Sequence, residues 1–296
     1  LGASTVTRNY SVTATAGGGI TDSGALNVTG TSTFTAAGGQ SIILDESSTF
    51  TSAVTFASGG TLAGVSITDS TDFDLQALTL VASGGGDLAG NLVVASGGSI
   101  TQSGNLTIGG TSSFTTSTNN KTITLSDAAS TNAFTGAFTL SSTGENAHVT
   151  IDNGTTAIVI TSASVGGNLT LTSGAAAGIT DSDAVVVGGN LVAITDANNG
   201  VINMIKLAVD GSISLTTHGT GNATIINDAA LDFSTTTVGG DLTATATTLN
   251  ISDRGTLTVT GVTNIYLGTN PILAVAGART ATDINGNTIT LDTSNN

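Results

Sequence analysis

Val165-Gly166-Gly167-Asn168-Leu169-Thr170-Leu171, Val187-Gly188-Gly189-Asn190-Leu191-Val192-Ala193 and Val209-Asp210-Gly211-Ser212-Ile213-Ser214-Leu215 state one phrase three times, its corner glycine falling at 167, 189 and 211, an even step of 22. After the turn, an apolar residue alternates with a small polar one (Leu169, Leu171; Ile213, Leu215), the period of a strand with one buried face. Each phrase is one turn and one strand. A repeat this short, without a helical segment, cannot bury its own apolar face and must stack on its neighbours. If each repeat is a coil, residues one repeat apart lie above one another at ~4.8 Å. The expected fold is all-β, a right-handed parallel β-helix (β-solenoid) with about 20–22 residues per coil.

Glycines mark the corners, where the backbone needs φ > 0 or has no room for a Cβ. The structural corner positions are Gly30, Gly110, Gly167, Gly189, Gly211, Gly240 and Gly261. The step from Gly211 to Gly240 is 29 and from there to Gly261 is 21, so the coil holding Asn222 to Phe233 is expected to carry a loop insertion. Insertions in solenoids bulge from one face, where a binding site would go.

A longer period overlies the coil. Ile20-Thr21-Asp22-Ser23-Gly24-Ala25-Leu26-Asn27-Val28-Thr29-Gly30 returns from Ile100 to Gly110, and more loosely from Ile179 to Gly189 and from Ile251 to Gly261, the isoleucines spaced by 80, 79 and 72. Duplication of a block of several coils accounts for this. Within the phrase, isoleucine ends a strand facing inward, Asp and Ser oxygens cap turn amides, and glycine takes the corner. Phe34 and Phe56 are one coil step apart and are expected to stack in the core; Phe134 and Phe138 also belong inside. The clearest repeats cover 17–265, and the whole of 1–296 reads as one continuous solenoid segment of a longer chain, of about 13 to 15 coils at ~4.8 Å each.

Composition narrows the function. Forty glycines, one proline, no tryptophan and 8% charged residues describe a β-rich, turn-rich chain, while the regular Ile, Leu and Val set it apart from a disordered linker. The net charge of −15, with five cations, excludes nucleic acid as a partner and disfavours an anionic membrane surface. It suits a hydrated acidic fibre that attracts divalent cations diffusely. No apolar run is long enough for a membrane-spanning helix. The absence of cysteine says little about compartment.

Chemistry on such a scaffold needs clustered carboxylates and cations. His148 and His218 are separated by roughly three coils, too far along the stack to share a metal, and each reads as a lone surface or loop side chain. Asp22, Asp181 and Asp253 are separated by whole blocks and form no catalytic pair. Two local pairs, Asp72 with Asp74 and Asp181 with Asp183, are weak calcium candidates; neither carries the nonapeptide of calcium-binding β-rolls. The threonine runs at Thr31–Thr35 and Thr243–Thr247 are scattered over coils of varying length, unlike the flat rank that ice binding needs. No cofactor and no catalytic residue is assigned.

The repeats at 166–174 and 20–30 resemble those of filamentous-haemagglutinin-like β-helix adhesins and related giant bacterial surface proteins, a likeness that covers most of residues 17 to 265. The resemblance implies an extracellular, cell-surface bacterial shaft serving adhesion, cell contact, biofilm or matrix, without enzymatic activity. Its partners would be further coils, end-to-end copies of itself, cell-surface glycans or other cells. The chain lacks the family's secretion domain, receptor-binding modules and toxin tip. The alternatives are a polysaccharide-binding or polysaccharide-degrading β-helix protein, or an ice- or calcium-binding solenoid.

Overall fold

In the computed structural model, residues 1–268 are described except Ala16, 82–88, 127–130 and Leu249, together with the backbone of Asn270–Ala276, Arg279–Thr282 and Thr288–Leu291. Every described element is a strand; within each of two compact units, and as far as Leu267, the pairing is parallel and each coil lies over the last, a β-solenoid with about 11 coils in all and about 22 residues per turn. That is fewer coils than the sequence spacing suggests, because the parallel coiling ends at Leu267 and the strands beyond it pair antiparallel. The chain forms two compact units, Leu1–Asp152 and Asn153–Asn296.

In the first unit three ladders rise together. Ser4–Val6 pairs with Leu26–Val28, Tyr10–Thr13 with Ser32–Ala36, and Ile20–Thr21 with Ser41–Phe50, so Ser4 faces Leu26, Tyr10 faces Ser32 and Ile20 faces Ile42, the same step as in the repeated phrase. The step then widens. Val65 faces Leu92, Phe73 faces Ile100 and Ser112 faces Phe138, each pair several positions further apart in the chain than Ser4 and Leu26. In the second unit Leu169, Leu191 and Ile213 stack at the original step, which then shortens: Ile213 faces Phe233 and Ala223 faces Leu242.

The coil from Asn222 to Phe233 therefore carries no insertion; it is short. The expectation failed because it placed Gly211 and Gly240 in one corner column. Gly211 donates its N–H to Gly189 O, whereas Gly240 donates to Gly221 O and Gly261 to Gly240 O. The long step from Gly211 to Gly240 crosses from one corner to another. The longer coils lie in the first unit.

The Ile-Thr-Asp-Ser phrase is also placed otherwise than expected. Above Ile20 stand Ile42, Val65 and Leu92, while Ile100 lies in a different ladder, over Phe73. In the second unit Ile202, Ala223 and Leu242 stand above Ile179, while Ile251 pairs with Leu231 in another ladder. In both units the phrase returns three coils and one face later. It is a strand-corner-strand module that serves more than one face, not a block of whole coils.

Alternation sends one side chain in two inward. Leu169, Leu171, Leu191, Ala193, Ile213 and Leu215 are fully buried, as their phrase implies. Each buried Leu or Ile contributes roughly 1.5–3 kcal/mol. Phe34 and Phe56 do stack, with ring centroids 6.3 Å apart, though Phe56 is only half-buried. Phe114, Phe134 and Phe138 form a second, fully buried cluster.

The interior is not purely apolar. Buried hydroxyls point inward and clasp the following corner: Ser142 Oγ donates to Ala147 O (2.9 Å), Thr195 Oγ1 to Gly200 O (3.0 Å) and Thr217 Oγ1 to Gly221 O (2.6 Å). Asn227, fully buried, accepts the N–H of Val209 (2.8 Å) and donates to Val209 O (3.0 Å) and Ala230 O (2.6 Å). These groups satisfy amides and carbonyls that the ladders leave open at corners. At the other end of the second unit the parallel order stops. Asn270–Ala276 turns back antiparallel on Val262–Leu267, with Pro271 opposite Tyr266, and Arg279–Thr282 pairs antiparallel with Thr288–Leu291. Val262–Leu267 is thus paired on its outer side by a strand running the opposite way. Asn285-Gly286, a turn signal in the sequence before the final alternation Thr288–Leu291, lies outside the described residues.

Candidate functional site

The densest polar chemistry sits at the corners, where Asn and Asp side chains reach from one coil to the next. Asn168 Oδ1 accepts the N–H of Asn190 (2.9 Å), and Asn190 Oδ1 accepts the N–H and hydroxyl of Ser212 (2.8 and 3.1 Å). Asn222 Oδ1 takes the N–H of Asp241 (2.8 Å), and Asp241 Oδ1 that of Val262 (2.7 Å). In the first unit Asn9 serves Thr31 (3.2 Å) and Asn91 serves Thr111 (2.8 Å).

The residue before each donor is a glycine: Gly189, Gly211, Gly240, Gly261, Gly30 and Gly110. A Cβ on any of them would overlap the Asx oxygen beneath, and none has a left-handed φ. Of the two reasons for glycine at a corner, close approach is the operative one here. Gly167 turns the same corner as Gly189, its carbonyl accepting the N–H of Gly189 (3.0 Å). Asn190→Ala removes a two-bond acceptor and is expected to cost about 1 kcal/mol in urea unfolding, while Asn190→Asp, which keeps the acceptor, stays within about 0.5 kcal/mol.

Three of the four calcium candidates, Asp72, Asp74 and Asp181, reach across coils in the same manner, while Asp183 serves its own turn. Asp72 Oδ1 accepts the N–H of Ser99 (2.7 Å) and lies 3.5 Å from Lys121 Nζ, a solvent-facing pair worth well under about 1 kcal/mol. Asp74 accepts Thr101 Oγ1 (3.1 Å), Ser103 Oγ (2.6 Å) and Gln76 Nε2 (2.5 Å). Asp181 holds the N–H groups of Ile205 and Lys206 (both 2.9 Å), while Lys206 Nζ donates to Ser182 O (2.8 Å). Asp183 Oδ1 takes the N–H of Ala184 (2.9 Å). Calcium takes six to eight oxygens. Among the described residues no three of His, Asp or Glu gather into a group able to hold a metal ion.

His218 is exposed, with Nδ1 2.8 Å from Thr195 O; a carbonyl only accepts, so Nδ1 carries the proton. His148 is half-buried in the first unit. Asp22 takes the N–H of Asp45 one coil on (3.2 Å), and burial pushes its carboxyl above the ordinary range. Asp253 is raised as well, by burial first and by the charge of Asp232, against the lowering N–H of Gly255.

Sequence reading passed over three polar centres. Asp232, buried, accepts Ser252 Oγ (2.7 Å) and pairs with the exposed Arg254. Asn132, also buried, accepts the N–H of Leu106 (3.2 Å) and donates to Asp152 O (3.0 Å). Asp69 is buried at a corner of the first unit. The signal for Asp69 was present: Ile67-Thr68-Asp69-Ser70 is another copy of the phrase begun at Ile20. Nothing in the sequence marks Asn132 or Asn227 as inward.

One family's sequence model, described as repeats of unknown function (DUF5649), matches residues 1–57, 62–141 and 220–273, well over half of the chain. Comparison with curated proteins and with solved structures gives no match.

Proposed function

We propose that this chain, which belongs to the family of repeats of unknown function, is a structural segment: part of the non-catalytic shaft of a bacterial cell-surface filament or adhesin. The supporting observation is how its polar groups are spent. Asp74, Asp181 and Asn190, which could bind or react, instead accept hydrogen bonds from the neighbouring coil. A repeat β-solenoid of this kind is compatible with a structural role. Stiffness would come from the parallel ladders and the packed interior, and hydration from the acidic surface.

An extracellular location, adhesion and glycan or cell partners belong to this reading and rest on the resemblance of the repeats. Antibodies against the purified chain are expected to label intact, unpermeabilised cells, and deletion of the repeats to weaken cell–cell attachment. Labelling that needs permeabilised cells would overturn the location. Release of reducing ends from polysaccharides by the purified chain would overturn the non-catalytic role in favour of the polysaccharide-degrading alternative.

A further inference from the structure

We propose that Asp69 is a proton-operated lock on its corner of the first unit, tighter with a proton on Oδ2 than without one. Only 1% of Asp69 is exposed. Its Oδ1 accepts the N–H of Phe50 (3.3 Å), the N–H of Thr71 (3.0 Å) and the hydroxyl of Thr71 (3.0 Å), so it ties the coil below to its own turn. Oδ2 is buried and has no partner.

The same task is done elsewhere by neutral groups. Ser48 Oγ accepts the N–H of Leu26 (3.0 Å), Asn132 Oδ1 that of Leu106 (3.2 Å), Asn227 Oδ1 that of Val209 (2.8 Å) and Thr236 Oγ1 that of Leu215 (3.2 Å). A carboxylate in this role carries a charge with one oxygen bare. A carboxylic acid leaves only an unpaired O–H, the lesser penalty in a buried setting.

No cation lies on the elements packed against Asp69. The strand below, Ser41–Phe50, carries Asp45 and Glu46, both exposed; the strand above, Leu92–Ser96, carries no charge; the corner that follows carries Asp72, which Lys121 already pairs. Burial raises the Asp69 carboxyl above its ordinary 3.8, with the Thr71 N–H, the Thr71 hydroxyl and the Phe50 N–H pulling the other way. In the window between that ordinary value and the folded one, the folded chain binds more protons than the unfolded chain. Stability is therefore highest below the window and is lost as pH rises through it.

The test compares the wild-type protein with Asp69→Asn, a neutral isostere, by thermal unfolding from pH 4 to pH 7. Asp22 and Asp253 titrate alike in both proteins, so their share cancels. The wild-type midpoint is expected to fall relative to that of Asp69→Asn as pH rises, and Asp69→Ser, which copies Ser48, to share the flatter profile. In parallel, the ¹³C carboxyl resonance of Asp69 in the wild-type protein is expected to titrate above its ordinary value. A constant difference between wild type and Asp69→Asn, a carboxyl that titrates at or below its ordinary value, or a calcium-induced rise of the wild-type midpoint at pH 7 that Asp69→Asn lacks would each overturn the lock.

Discussion

Phe138→Ala is expected to lower the unfolding free energy by about 3–5 kcal/mol, read as a reduced denaturant midpoint at unchanged slope. Phe138 is fully buried and lies in the ladder with Ser112, its ring centroid 4.9 Å from that of Phe134 and 6.5 Å from that of Phe114. Removing it leaves a cavity walled by two rings that belong to hydrogen-bonded strands and cannot close in. Phe56 supplies the control. It stacks on Phe34 but is half-buried, so Phe56→Ala loses part of a ring contact and opens no closed cavity. Its cost is expected to be under half as large. Equal costs for the two variants would mean that the triple-phenylalanine cluster adds nothing beyond ordinary burial.

Gly240→Ala is the second large effect, expected to cost about 3 kcal/mol, at the upper end of overpacking penalties. The added methyl would overlap Asn222 Oδ1 and stand 2.5 Å from Thr220 O. One obstacle is backbone, held in the stack by the N–H of Gly240 on Gly221 O (2.9 Å), so it cannot swing aside. The clash would also dislodge Asn222 from the N–H of Asp241. Gly59 is the contrast: no atom lies within 4 Å of its would-be Cβ and its φ is not left-handed, so Gly59→Ala is expected to stay within about 0.5 kcal/mol. The same substitution in the same fold then separates glycines that the stack requires from those it merely tolerates.

Much of this was legible from residues alone. The alternation at Leu169 and Leu171 fixed which side chains face inward, and the even step of the repeated phrase fixed which residues lie above one another across Leu169, Leu191 and Ile213. The column to which each corner glycine belongs was not legible. Gly211 and Gly240 look alike in sequence, and only the hydrogen bonds show that they turn different corners. The carboxylates of Asp72, Asp74, Asp181 and Asp183 were visible as local pairs. The partners that Asp72, Asp74 and Asp181 find a coil away were invisible, because a coil of unequal length hides what lies above it.

The chain by itself determined a stack of parallel coils: a period of two within strands and a period near 22 between them leave apolar faces that only a neighbouring coil can cover. Tertiary structure decided which face each copy of the Ile-Thr-Asp-Ser phrase occupies and that Asp69, Asn132 and Asn227 turn inward. The reason is that alternation distinguishes in from out but not one face from another. A polar residue goes inside when the coil beside it leaves an amide unpaired, and that amide comes into place only when the coils close.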